Sequence, residues 1–308
     1  MPLENPPTLP YPLDDAEPWT TATDVEYYST PEQFRILHSR EHEVLFLDPL
    51  PKDRLHEIYP STYYSFSDPS ASAVQRVKAW LDKRMFRSLL EDIPGDRLSV
   101  LDVGGGAGWM LNAVRACDPR VAHTQVVDID PEPAKAAEAN GHTYFCGRIE
   151  ELDTAQTFDL ILLLNLIEHV ENPLLVLESL RERLSPNGRI LVKTPNWDSL
   201  DARIFRHSSW AGYHCPRHWV LFTKKSFEHL AALAKLKVIE FKYTQGAPFW
   251  AASTLHALQK RGLCRIDRER PVVRHPLFGP LNAVFAAVDF ARMPFAKTSQ
   301  MFFVLGRA

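Results

Sequence analysis

Three stretches of this 308-residue chain hold side chains whose types and spacing can do chemistry. In Ser99-Val100-Leu101-Asp102-Val103-Gly104-Gly105-Gly106-Ala107-Gly108-Trp109, a short apolar run passes an acid and enters a glycine cluster, after which Met110 to Val114 resumes helical spacing. Strand, tight turn and helix are predicted there. Such a turn lets a ligand lie against the main chain and points free helix N–H groups at it. Asn165-Leu166-Ile167-Glu168-His169 follows a second apolar run, Phe158 to Leu164, and sets a carboxylate beside an imidazole. His214 and His218 stand four apart in Tyr213-His214-Cys215-Pro216-Arg217-His218-Trp219. Imidazoles titrate near neutral pH, so His169, His214 and His218 are candidate bases. The i, i+4 pair would suit a metal on a helix, but Pro216 argues against a regular helix and no acidic third ligand lies nearby in sequence; no metal is expected.

Glycine spacing separates two kinds of ligand. The dinucleotide fingerprint G-x-G-x-x-G, begun at Gly104, requires glycine at 109, where this chain has Trp109. Asp102 followed by G-x-G-x-G instead resembles the first motif of class I S-adenosylmethionine-dependent methyltransferases. In that family the turn cradles the amino-acid end and ribose of the cofactor. Val126-Val127-Asp128-Ile129-Asp130-Pro131 reads as the second strand, with Asp128 placed to accept hydrogen bonds from both ribose hydroxyls. Phe158 to Val170 resembles the family's fourth strand and its exit loop.

The resemblance implies S-adenosylmethionine as cofactor and S-adenosylhomocysteine as product. It implies cofactor contacts from Asp102, Gly104, Gly105, Gly106, Gly108, Trp109, Asp128, Ile129, Arg148, Ile149, Asn165, Leu166, Glu168 and His169. Where the family often sets an acid against the adenine amino group, this chain has Gly147-Arg148-Ile149-Glu150, so backbone groups of Arg148 and Ile149 are expected to serve instead. His207 to Thr223 is similar to the family's segment of tryptophan, Pro-x-His and aromatic ahead of a helix, for which Thr223 would be the N-cap. His218 falls on that segment's histidine. The catalytic candidates are His218, His169 and His214; the alternative for each is a hydrogen-bonded role that orders its loop.

Composition narrows the field. With 35 basic and 38 acidic residues the net charge is −3, which supplies no global field to gather nucleic acid or an anionic membrane. The basic residues from Arg261 to Arg274 are interleaved with Asp267 and Glu269 and read as a solvated face. Cysteines 117, 146, 215 and 264 are far apart and form no CxxC pair, so they read as reduced, mostly buried thiols. The Pro- and acid-rich start lacks a signal-peptide pattern, and no run reaches the roughly 20 apolar residues of a membrane span. A soluble, cytoplasmic protein is expected.

Strands and helices alternate from residue 73 onward. Helices are predicted over 73–93, 109–117, 131–139 and 173–184, and strands over 124–128, 143–146, 159–164 and 188–194, with Pro186-Asn187-Gly188 as a turn. The first helix carries an apolar stripe of Val74, Val77, Trp80, Leu81, Met85, Leu89 and Leu90. The fold class expected is α/β: a Rossmann-like doubly wound sheet of about seven strands, the last antiparallel, with helices on both faces.

Four segments are expected. Residues 1–72 form an arm and a module resembling the zinc ribbon of bacterial small-molecule methyltransferases, on Pro49-Leu50-Pro51 and Tyr59 to Tyr64; positions 19–60 hold no cysteine, so the module is metal-free. Residues 73–243 form the cofactor-binding core, 244–299 a helical insertion serving as substrate lid, and 300–308 the last core strand. Within the insertion, Phe285, Val288, Phe290 and Phe295 line a pocket, cap the sheet or form a dimer face.

The expected function is methyl transfer to O, N or C of a small-molecule acceptor in secondary or cell-envelope metabolism, by a monomer or homodimer. Nucleic-acid methylation is disfavoured by the missing Asp/Asn-Pro-Pro-aromatic sequence after the fourth strand and by the missing basic face. The remaining alternatives are an inactive binding protein on the same fold, an RNA or protein methyltransferase, and an NAD-dependent oxidoreductase, the last disfavoured by Trp109.

Overall fold

A computed structural model describes residues 3–59, 73–207 and 209–308, with the backbone alone for 73–79. Strands β1 (Glu17–Thr23), β2 (Gln33–Ser39) and β3 (Val44–Asp48) come first, then helices α1 (Leu55–Ile58) and α2 (Ala73–Glu91). The alternating part runs β4 (Leu98–Val103), α3 (Trp109–Arg115), β5 (Val121–Asp128), α4 (Ala134–Ala139), β6 (Thr143–Cys146), β7 (Phe158–Leu164), α5 (Pro173–Arg183) and β8 (Leu184–Pro195). Then follow α6 (Leu200–Ile204), β9 (Val220–Phe222), α7 (Lys224–Leu233), β10 (Leu236–Thr244), α8 (Ala247–Lys260), α9 (Phe278–Arg292) and β11 (Gln300–Arg307).

Seven strands form the central sheet in the order β10-β11-β8-β7-β4-β5-β6. β6, β5, β4, β7 and β8 pair in parallel, and β11 inserts antiparallel to both β8 and β10. This is the doubly wound sheet expected. Its centre is continuous apolar sequence because both faces are covered. In β7, Leu160 and Leu162 pack on one side with Phe86, Leu90, Leu111 and Phe302, while Ile161 and Leu163 pack on the other with Leu177, Leu180, Phe227 and Phe303. Each such buried side chain contributes about 1.5–3 kcal/mol. Parallel β4, β5 and β7 therefore end on one edge, which brings together the segments that follow them.

The N-terminal strands do not stand apart from the rest. β9, from beyond residue 219, completes a second sheet in the order β1-β2-β3-β9 by pairing Val44 with Phe222 and Phe46 with Val220. The stretch before β1 is also less loose than its prolines suggest. Leu3, Leu9, Tyr11 and Leu13 pack on the main apolar cluster, and the N–H groups of Glu4 and Asn5 donate to the Asp48 carboxylate at 3.1 and 2.8 Å. Positions 60–64 of the tyrosine-rich stretch lie outside the described residues.

Other expectations need correction. The buried face of α2 runs through Phe86, Leu89 and Leu90 towards Ile93, leaving Trp80 and Leu81 exposed; the side chains of Val74 and Val77 are outside the described residues. Pro186-Asn187-Gly188 lies within β8, at a slip in pairing from Phe158–Leu184 to Leu160–Arg189. All four cysteines are free, but only Cys215 is buried and Cys146 is exposed. Val288, Phe290 and Phe295 are exposed, so they do not cap the sheet, whereas Phe285 stacks on Trp250 of α8. No helix among the described residues is long and apolar enough to cross a membrane.

Candidate active site

β4 delivers Asp102 and the glycine turn to the edge where the parallel strands end. Gly106 and Gly108 have φ of +51° and +78°, a region in which a Cβ is costly. A Cβ on Gly108 would also lie 2.4 Å from the ring of His142, which Thr124 holds by a 2.8 Å hydrogen bond. Gly108→Ala is therefore expected to cost roughly 1–3 kcal/mol from backbone strain and more from the clash. In a His142→Ala background, which already lacks the ring and its hydrogen bond to Thr124, Gly108→Ala should cost only the backbone strain, so the drop in melting temperature there, set against the drop in wild type, measures the share of the clash; equal drops would assign the whole cost to the backbone.

The turn faces Asp128 at the end of β5. Gly106 N donates to Asp128 Oδ2 at 3.0 Å and Asp130 N donates to Oδ1 at 3.1 Å. Burial, and then the charge of Asp128, push the Asp102 carboxyl up to about 7. Burial also raises Asp128. Two carboxyls held this way favour a ligand that brings positive charge or hydroxyl donors. Trp109 and Ile129 expose large apolar surfaces next to the turn and the acid.

The loop after β7 reaches two places at once. Leu166 packs over Gly104, so close that a Cβ there would meet it at 3.1 Å. Asn165 has φ of +53°, and its buried Oδ1 lacks a partner among the described residues. Three residues on, Glu168 and His169 enter a cluster with His214 and His218. The ring centroids of His218 lie 4.7 Å from His169 and 4.9 Å from His214. Trp219 N donates to Glu168 O at 2.7 Å and ties the 211–219 segment to this loop.

Each side chain in the cluster is oriented from behind. His218 Nδ1 donates to Gly212 O at 2.8 Å, His214 Nδ1 bonds Glu26, and His169 Nδ1 meets the Tyr59 hydroxyl at 2.9 Å and Arg217 O at 3.1 Å. Thr194 donates to Glu168 Oε2 at 3.0 Å, while Oε1 is buried without a hydrogen bond among the described residues, 3.9 Å from His218 Nε2. Burial pushes the Glu168 carboxyl up to about 8. Burial, reinforced by neighbouring imidazoles, pulls His169 down to about 3 and holds His218 well below its ordinary value. Both rings are thus neutral at pH 7, with a lone pair on one nitrogen.

A family model described as "Methyltransferase domain" matches residues 67–240, more than half of the chain. The chain belongs to this methyltransferase-domain family. Ubiquinone biosynthesis O-methyltransferase of Bradyrhizobium diazoefficiens is 34% identical over 119 residues, which are 35% of this chain and 44% of that protein. The Rickettsia conorii protein of the same name is 33% identical over 114 residues, 36% of this chain and 39% of its own. The matches thus span less than half the length of these relatives. Among solved structures, the [4+2]-cyclase SpnF superposes with a TM-score of 0.50 at 13% identity, covering 79% of this chain and 85% of that one, which shows the shared fold.

Class I methyltransferases of this fold take S-adenosylmethionine, and the turn fits it. Asp128 presents its oxygens at the turn, Asn165 Oδ1 is buried without a partner among the described residues, and Trp109 and Ile129 offer apolar faces. Gly105 serves a different end: its missing Cβ leaves room for the Asp102 carboxylate, which that atom would meet at 2.6 Å. In this structure the Arg148 N–H donates to Glu151 Oε2 at 3.0 Å, and Ile149 opens the short helical turn that follows. Glu168 and His169 lie in the histidine cluster, past the residues that touch the turn.

Packed around the histidine cluster are residues that sequence reasoning missed. Glu26 reaches His214 from the segment after β1, and Arg217, quoted in its motif but assigned no role, is fully buried on Asp24 of the same segment. Asp24-x-x-Tyr27 with Ser29 was the available signal: an Asp that accepts from the N–H groups of Tyr27 and Ser29 marks an ordered turn.

Proposed function

We propose that this protein methylates a hydroxyl oxygen of a small molecule, with S-adenosylmethionine as donor. The observation that supports this most is the loop 165–169, which places Leu166 on the glycine turn and Glu168 and His169 in the histidine cluster. Donor and acceptor sites are thereby built on one five-residue segment. The relatives' name, O-methyltransferase, favours oxygen over the nitrogen and carbon acceptors also compatible with the sequence. Ubiquinone biosynthesis in that name favours a biosynthetic acceptor over the envelope or secondary context.

When bound, the donor supplies a methyl group activated by its positive sulfur. In this reading Asp128 and the turn hold the ribose, and Asn165 orders the loop beside the amino-acid end. The new O–CH3 bond forms as the S–CH3 bond breaks, the sulfur keeps that electron pair, and the hydroxyl proton leaves to a neutral imidazole or to water. His218, His169 and His214 face the acceptor.

We place α8 and α9, within 244–299, as the cover of the acceptor side. Ser253 of α8 accepts from Ala211 N at 2.8 Å, and a small cleft beside it is lined by Glu26, Trp210, His214, Cys215 and His256. No nucleic acid enters this reading.

Calorimetric titration with S-adenosylhomocysteine tests the donor site. Micromolar binding is expected, and Asp128→Ala should weaken it at least about 100-fold, as loss of two charge-assisted hydrogen bonds would. A wild-type chain that binds neither S-adenosylmethionine nor its product would overturn the assignment.

A further inference from the structure

Outside the donor site, the donor set Glu168, His169 and His218 is arranged as metal ligands are. One nitrogen or oxygen from each lies within 4.8 Å of the other two. Zinc holds such atoms at about 2.0–2.2 Å, so the three need to close by roughly 1–1.5 Å, within the reach of side-chain rotation. His218 and Glu168 are buried, and Glu168 Oε1 has no hydrogen-bond partner among the described residues although its carboxyl group is fully enclosed. A buried carboxyl oxygen without a partner is costly, and a cation that displaces the carboxyl proton is one way to satisfy it.

The other polar atom of each group is already anchored. His218 Nδ1 donates to Gly212 O, His169 Nδ1 contacts Arg217 O and the Tyr59 hydroxyl, and Glu168 Oε2 accepts from Thr194. Metal-binding histidines and carboxylates are typically fixed in this manner by outer partners, which set the tautomer and aim the remaining lone pair. Sequence spacing hid the set, because it weighed only His214 with His218 and found no acid near them. The acid comes from the β7 loop instead.

We propose that Glu168, His169 and His218 bind one divalent transition-metal ion of the zinc type. Two imidazoles and one carboxylate leave at least one position for another oxygen, as in catalytic zinc sites. That position suits the acceptor hydroxyl of the proposed reaction. Binding itself does not depend on that reaction.

Zinc alone is the probe, with no methyl donor present, so failure here is distinguishable from failure of the methyl-transfer reading. The full chain is stripped with chelator, dialysed, and titrated with zinc against a chromophoric competitor. One equivalent is expected to bind at micromolar or tighter affinity, and Glu168→Gln and His218→Ala should each weaken it at least about 100-fold. Circular dichroism reports whether each variant is folded. Zinc K-edge X-ray absorption of the loaded wild-type chain reads the ligands without any variant. Two imidazoles with oxygen neighbours support the site. Sulfur neighbours, no stoichiometric binding, or affinity unchanged in both folded variants would overturn it.

Discussion

His218→Ala is expected to lower turnover about 10²–10⁴-fold while S-adenosylhomocysteine affinity stays within a few-fold of wild type. The imidazole is held by Gly212 O through Nδ1, which leaves the Nε2 lone pair directed near Glu168 Oε1, 3.9 Å away. Burial keeps the ring neutral, so that lone pair is present at working pH. It can take the acceptor proton or hold the cation that takes its place; either role is lost with the ring. Cofactor affinity is spared because His218 belongs to the 211–219 segment, whereas the turn and Asp128 lie across the β7 loop. Single-turnover rates with saturating donor, set beside product calorimetry, separate the two quantities. Unchanged turnover would remove His218 from the chemistry. A parallel loss of product binding would instead assign it to the shape of the donor site.

The glycine turn was legible because everything it needs is local. Positive φ at 106 and 108, the strand before and the helix after are properties of ten consecutive residues, and Asp128 follows at a fixed chain distance set by one helix and one strand. β7 was legible for a related reason, since a strand buried on both faces writes itself as unbroken leucine and isoleucine. The histidine cluster was only half legible. His169, His214 and His218 stood out by type, but their neighbours are chosen by tertiary packing: Asp24 lies 193 residues from Arg217, and Glu26 lies 188 from His214. The second sheet was hidden too. Its fourth strand is three residues long, Val220 to Phe222, within a stretch read as a loop, and no periodicity can be scored over so short a span. In α2 the apolar residues outnumber the positions one face can bury, so Phe86 took the place assigned to Trp80.

Asp24→Ala is expected to destabilise the protein by about 3–5 kcal/mol, because it strips the carboxylate from an enclosed guanidinium. Both side chains are fully buried, and Arg217 Nη2 donates to Asp24 Oδ2 at 2.7 Å. Asp24 also accepts from Tyr27 N at 2.9 Å and Ser29 N at 2.8 Å, so its removal unties the turn that carries Glu26. At about 2–4 °C per kcal/mol for a chain approaching this size, melting should fall by roughly 10 °C. The pH dependence follows from the same pair. Burial alone would raise the Asp24 carboxyl, but the hydrogen bonds and charge of Arg217 outweigh it and hold it below its ordinary value. A depressed carboxyl stabilises the fold above its unfolded value, near 3.9, and that contribution is lost as pH falls through the folded value. Wild type should therefore lose its advantage over Asp24→Ala in acid, and the two stability curves should converge below about pH 4. Curves that stay parallel would mean that the ion pair adds nothing to stability, and that the turn hydrogen bonds alone account for the loss. Turnover should fall along with stability, since Arg217 O also steadies His169 and its side chain is what the pair fixes.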